Sequence, residues 1–188
     1  MIRYTALLDA NILYSNSLRD ICLQLSRADV FQAKWTEDIH QEWMNARLKN
    51  DPRATQAKLA RTRGKIDEET DGLITGYEHL IPELDLPDPD DRHVLAAAIV
   101  GRCDAIITKD LRGFPGARLA PHRIAARHPD EFLLERLNLA SAPFCMAIKE
   151  IRSRLINPSY SVEEYLSNLR KQGLAGTASA LEKHAHLL

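Results

Sequence analysis

The sequence predicts an α/β fold: a central, mostly parallel β-sheet flanked by helices, followed by a helical extension. Three observations predict it. YTALL (Tyr4–Leu8) and AIIT (Ala105–Thr108) are short runs of the kind that form strands buried on both faces of a parallel sheet. Each lies next to a stretch with helical periodicity, as a parallel crossover requires. From His128 onward every pattern is helical.

The first strand, Tyr4–Leu8, ends in Asp9, and a helical pattern follows that Asn11 could cap. Val30–Trp35 is a second strand candidate. Thr36 is placed to cap the next helix, Glu37–Leu48. Ile39, Glu42, Trp43 and Ala46 fall at helical spacing, which puts Glu42 on the apolar stripe. Asn50–Asp71 contains the most basic run of the chain, with Arg53, Lys58, Arg61, Arg63 and Lys65, and Leu73–Leu80 reads as a further helical segment. Ile81-Pro82 and Leu86-Pro87 mark an extended connection. Asp88-Pro89 resembles a capped helix start with Asp91 at its third position. An alanine-rich body, Val94–Val100, then leads through Gly101 into the strand Ala105–Thr108 and Asp110. Arg112–Gly116 reads as a loop, Arg123–Ala126 as a weak last strand, and His128-Pro129-Asp130 as a helix start. Pro143–Leu155, Ser161–Lys171, opened by the capping box Ser161 and Glu164, and Ala175–Leu187 complete the extension.

Composition narrows the class. The chain has 188 residues, 45% hydrophobic and 27% charged, with a net charge of −1, which suits a globular domain plus an appendage. An RNA partner would therefore need a local basic patch. Cys22, Cys103 and Cys145 show no zinc-ligand spacing and read as buried free thiols in a reducing compartment. The start of the chain lacks the apolar core of a signal peptide, and Val94–Val100 is too short to span a bilayer. A cytoplasmic protein without a membrane partner is expected.

The acids carry the chemistry. In a parallel sheet the strand ends preceding Asp9 and Asp110 share one edge, and a helix entering a parallel strand starts at that same edge, which puts Asp91 beside them. Asp88 and Asp90 are explained by helix capping and the helix macrodipole. Glu42 on an apolar stripe needs a partner or a cation, unless it sits at the stripe's margin and pairs with Arg47 or another nearby base. Carboxylates gathered at one edge repel unless a divalent cation sits among them, and an all-oxygen donor set suits Mg²⁺ or Mn²⁺. Thr108 could orient a carboxylate or a water through its hydroxyl. His93 and His122 read as structural or surface residues.

These segments, LLDANIL, the Glu42 helix, DPDDRHVLAAAI, IITKDLRGFP and HPDEFL, resemble the PIN-domain ribonucleases, and within them the VapC-like toxins of toxin–antitoxin modules. The resemblance spans Ile2–Leu134. It implies a PIN-like nuclease domain over residues 1–134, with 135–188 as the helical C-terminal extension. It also implies catalytic and metal-binding roles for Asp9, Glu42, Asp91 and Asp110, with Asn11 and Thr108 supporting. The alanine spacing of the family's helix selects Asp91, with Asp90 as the neighbouring alternative. The implied activity is Mg²⁺- or Mn²⁺-dependent RNA hydrolysis, with Arg53, Arg61, Lys109 and Arg112 as candidate RNA contacts. The implied partners are the RNA substrate and an antitoxin protein, and a homodimer is compatible with the resemblance. Gly113 departs from the pattern, since many relatives carry another Asp there, and Asn11 stands where many carry a hydroxyl or an acid. Two alternatives stand beside this reading. One is a non-catalytic PIN-like interaction module. The other is a haloacid-dehalogenase-type phosphohydrolase, which would want an acid where Asn11 lies.

Overall fold

The computed structural model describes residues 4–188, so Ile2, where the family resemblance begins, lies outside the described residues. Its centre is a four-stranded parallel sheet in the order β2-β1-β3-β4, made of β1 (Thr5–Leu8), β2 (Gln32–Lys34), β3 (Ala105–Ile107) and β4 (Ala125–Arg127). Leu8 stands beside Ile107 and Ile107 beside Arg127, so the chain leaves β1 and β3 at the same edge. All of β1 and β3 is buried, as their apolar sequences require.

The helix after β1 starts earlier than expected. Asp9, not Asn11, is its N-cap and accepts the Ala10 N–H, and α1 (Ala10–Tyr14) stops where Ser15 caps a second helix, α2 (Asn16–Arg27). Thr36 caps α3 (Glu37–Asn50) as the sequence indicates, and α4 (Gln56–Glu69) forms the hairpin with it. Leu73–Leu80 is not a helix. Gly72 lies so close to the Trp35 indole that a Cβ would stand 2.4 Å from the ring, and this contact draws the chain alongside β2. The Trp35 N–H donates to the Gly72 carbonyl and the Ile74 N–H to the Trp35 carbonyl. Gly76 then turns with a positive φ of 77°, and only a 3₁₀ turn, Glu78–Glu83, follows.

Asp88 caps a 3₁₀ turn, Pro89–Asp91, through the Asp90 N–H, and α5 (Arg92–Val100) continues from it. Asp91 is the residue before α5 rather than its third, and its side chain makes no capping hydrogen bond. Ala96, Ala97 and Ala98 are fully buried, and their small size lets α5 lie close against β1 and β3. The loop expected from Arg112 runs to Pro115, and α6 (Gly116–Leu119) follows it. Arg123 adopts a left-handed φ of 60°, so the last strand begins at Ala125.

Beyond β4 the chain is helical: α7 (Pro129–Leu139), α8 (Ser141–Arg154), α9 (Val162–Lys171), with its capping box at Ser161 and Glu164, and α10 (Ala175–Glu182). α7 begins before residue 135, where the extension is expected to start, and Asp130 in its first turn binds the two parts: its carboxylate accepts the N–H groups of Gly176 and Thr177 and the Thr177 hydroxyl, capping α10 from α7. α8 packs on α2. The three cysteines are free and buried, and burial pushes the Cys22 and Cys103 thiols up to about 12. Among the described residues no helix is long and apolar enough to cross a membrane.

Candidate active site

The shared edge of β1 and β3 is knitted together by Thr108. Its hydroxyl donates to Asp9 Oδ2 at 2.7 Å and accepts from Asn11 Nδ2 at 2.9 Å and from the Asp110 N–H at 3.0 Å. Asn11 Nδ2 also donates to Asp9 Oδ2 at 2.5 Å, and its carbonyl accepts the Lys109 N–H. Asp9 Oδ1 accepts the Ala10 N–H. One fully buried hydroxyl and one amide thus orient both strand-end acids, and this is why a β-branched hydroxyl residue and an amide stand at these two positions.

Asp91 and Asp110 meet at Gly113. A Cβ on Gly113 would lie 2.9 Å from Asp91 Oδ2 and 3.0 Å from Asp110 Oδ2, so both carboxylates point at the space a side chain would fill. Asp110 Oδ1 is held by the N–H groups of Arg112 and Gly113. Asp90 lies exposed in the turn, its N–H taken by Asp88. Gly113 therefore makes room for the acids already present, where an additional Asp would crowd them.

Glu42 is not on the buried stripe. Ile39 and Trp43 are buried, whereas the Glu42 side chain is 44% exposed at the stripe's margin, because His93 on α5 draws it there through a 2.6 Å contact from Nε2 to Oε1. His93 is thus part of the site, contrary to the sequence reading, while His122 stays exposed beyond α6. A histidine on the buried face of α5, two residues after Asp91, is the signal that could have found it. Burial lowers the pKa of His93, but the hydrogen bond to Glu42 and the charges of Glu42, Asp38 and Asp9 outweigh it and raise it. The helix carrying Glu42 is fixed from behind: Trp43 Nε1, which can only donate, bonds His40 Nδ1 at 2.9 Å. His40 must then be neutral, with its proton on Nε2 facing Asp67 at 3.0 Å, and burial lowers its pKa accordingly.

The electrostatics single out the same acids. Burial, then the charges of Asp9, Asp88, Asp110 and Glu42, push the Asp91 carboxyl up to about 6. Burial raises Asp9 as well, against the hydrogen bonds from Thr108 and Ala10, with Glu42 adding to the rise. Mutually destabilised carboxylates of this kind suit a hard divalent cation. Among the described residues no group of three or more His, Cys, Asp or Glu side chains is drawn close enough to hold an ion alone. Mg²⁺ does not require such a cage: it is commonly held by one or two carboxylates, with waters and substrate phosphate completing the shell. The Asp91–Asp110 pair with Asp9 beside it matches that donor set.

The candidate RNA contacts are dispersed. Lys109 lines a cavity of about 380 Å³ with Asn11, Tyr14, Glu42 and Ala46, and Arg112 is exposed on the loop beside Asp110. Arg53 pairs with Asp51 in a separate cleft between α3 and α4, and Arg61 is exposed on α4 and outside that cleft's lining.

Comparison with known proteins finds relatives of both parts of the chain. A family model of the PIN domain matches residues 5–112, and one described as the VapC50 C-terminal domain matches 129–183. A protein of Mycobacterium tuberculosis (strain ATCC 25618 / H37Rv) named "Putative ribonuclease VapC50" is 36% identical over 103 residues, covering 55% of this chain and 60% of that protein. The matched segment thus spans about three-fifths of the relative's length. No solved structure matches the chain significantly.

Proposed function

The chain belongs to the PIN-domain family, and from that premise we propose that it is a metal-dependent endoribonuclease, acting as the VapC-like toxin of a toxin–antitoxin pair. The observation that carries the proposal is the convergence of Asp91 and Asp110 on the space at Gly113, with Asp9 tied to Asp110 through Thr108. The name of the mycobacterial relative points the same way. Residues 1–134 would carry the chemistry and 135–188 the extension.

Asp91 and Asp110 would hold Mg²⁺ or Mn²⁺, with Asp9 as a third ligand and Glu42 reaching in from the rim. Such a cation, when bound, lowers the pKa of water and offsets charge on the phosphodiester. Thr108 and Asn11 keep the Asp9 carboxylate from swinging away, and His93 keeps Glu42 at the mouth, where it can accept a proton from the attacking water. Lys109 and Arg112 stand beside the acids to meet phosphate oxygens. In-line attack at phosphorus would leave a 5′-phosphate and a 3′-hydroxyl. An antitoxin would silence the site by laying a cation or an occluding segment over the acids. Asn11 spends its amide on Asp9 and Thr108 and offers no acid, which disfavours the aspartyl-phosphate alternative. The test is to incubate purified protein with 5′-labelled RNA in Mg²⁺ or Mn²⁺ and then in EDTA, and to map the product ends. Metal-dependent cutting that leaves 5′-phosphates supports the proposal; no cutting by inhibitor-free, metal-binding protein favours the interaction module.

A further inference from the structure

Two further clefts lie between the cavity beside Glu42 and Lys109 and the extension. The first, about 220 Å³, lies between α2, α3 and α4 and carries Arg19, Arg47, Arg53 and Lys58 against a single carboxylate, Asp51. It shares Trp43 with the cavity beside Glu42 and Lys109, and the Arg47 guanidinium lies 5.0 Å from the centre of the Tyr14 ring in that cavity. The second cleft, about 320 Å³, shares Arg19 and Thr62 with the first and is closed on its far side by α8, which contributes Ile151, Arg154 and Leu155. Lys65 and Arg154 add two cations there, with Asp20 the one acid in its lining.

Six cations and two carboxylates thus line two neighbouring clefts, in a chain whose net charge is −1. Asp51 is shared between Arg53 at 3.3 Å and Arg47 at 4.0 Å, and Lys58 Nζ donates to the Arg53 carbonyl at 3.4 Å. Arg154 is half exposed and meets Gln24 of α2 and Glu150. The exposed cations Arg53, Lys58, Lys65 and Arg154 can exchange weak partners for phosphate, whose displaced counterions supply the driving force. A merely solvated basic face would have no reason to be concave.

We propose that the extension is a substrate-binding part of the nuclease: α8 forms with α2 and α4 the far end of an RNA backbone track that begins at the acidic centre. This rests on the ribonuclease reading, and it assigns to Arg154 and Lys65 contacts with phosphates distant from the cut. The packing of α8 on α2, with the Gln24 amide donating to Glu150 at 2.8 Å, holds Arg154 over the second cleft.

The test is fluorescence anisotropy of labelled RNA with full-length protein in EDTA, where binding is read without cleavage, across a salt series. Arg154→Glu and Lys65→Glu each weaken binding about tenfold and flatten the log K against log salt slope by about 0.7 or more. Lys183→Glu, exposed at the end of α10 and outside the lining of both clefts, serves as the control and changes neither. For an oligonucleotide too short to reach α8, the Arg154→Glu effect disappears. Unchanged affinity and slope in folded Arg154→Glu and Lys65→Glu overturn the proposal, as does an equal loss with the short strand. Asp9→Asn separates the two readings: if it abolishes cutting while binding stays sensitive to Arg154→Glu, both hold. RNA binding by this track without any metal-dependent cutting removes the nuclease reading alone.

Discussion

Thr108 and Asp9, 99 residues apart, share a buried hydrogen bond of 2.7 Å, and the same hydroxyl accepts the Asp110 N–H. Thr108→Val keeps the shape and removes the hydroxyl, leaving Asp9 with one donor fewer. The expected cost is about 1–3 kcal/mol of stability. RNA cleavage should fall by about 10- to 100-fold, as it does when groups that orient metal ligands are lost. Chemical denaturation and a cleavage assay check the two parts.

His93 acts on the site through Glu42. His93→Ala should reduce kcat about tenfold with little change in KM, while His93→Gln, which retains an N–H donor, keeps part of the activity. The decisive reading is a double-mutant cycle: in a Glu42→Gln background, His93→Ala has no further effect. Additive losses in the cycle contradict the assignment.

Asp91 makes stability depend on pH. Its carboxyl rises from an ordinary value of 3.8 to about 6 in the folded protein. Between these values the folded chain holds the proton that the unfolded chain has released. The group's stabilising contribution is therefore complete below 3.8, declines as pH rises to about 6 and is gone above it. After allowance for solvent screening the loss is on the order of 1 kcal/mol. Melting temperatures measured in EDTA should show this decline for wild type and a flatter profile for Asp91→Asn, which should be the more stable at neutral pH. Added Mg²⁺ should raise the wild-type melting temperature more than that of Asp91→Asn. Identical pH profiles would remove Asp91 from the cluster.

Gly113 is required for the space it leaves. Gly113→Ala places a Cβ within 3.0 Å of Asp91 Oδ2 and Asp110 Oδ2. Displacing both carboxylates should lower cleavage about 10- to 100-fold, with a stability change of about 1 kcal/mol. Wild-type activity in this variant would mean that the two acids act elsewhere.

The sheet was readable because β1 and β3 are apolar on both faces and each is followed by a polar strand end, so Asp9 and Asp110 fell at one edge by topology alone. Thr36 and the Ser161–Glu164 box were readable because a cap is a local rule of side-chain type and spacing. Leu73–Leu80 was not, since its course is set by the close approach of Gly72 to Trp35, a contact between distant segments. The exposure of Glu42 was hidden for the same reason: its phase on α3 suggests burial, and only His93, 51 positions away, turns it to the rim. Asp88 caps as its position before Pro89 suggests, whereas Asp91, expected in the third helical position, precedes α5 with no capping bond, which leaves its carboxylate to meet Asp110.

The central claim is that acids at the common edge of β1 and β3 cut RNA. Its most direct test is the single-turnover cleavage rate of wild type, Asp9→Asn and Asp110→Asn in Mn²⁺, with folding verified by melting temperature. The account predicts metal-dependent cutting by wild type and at least about a hundredfold loss in each variant. Cutting by Asp9→Asn and Asp110→Asn at the wild-type rate would contradict it.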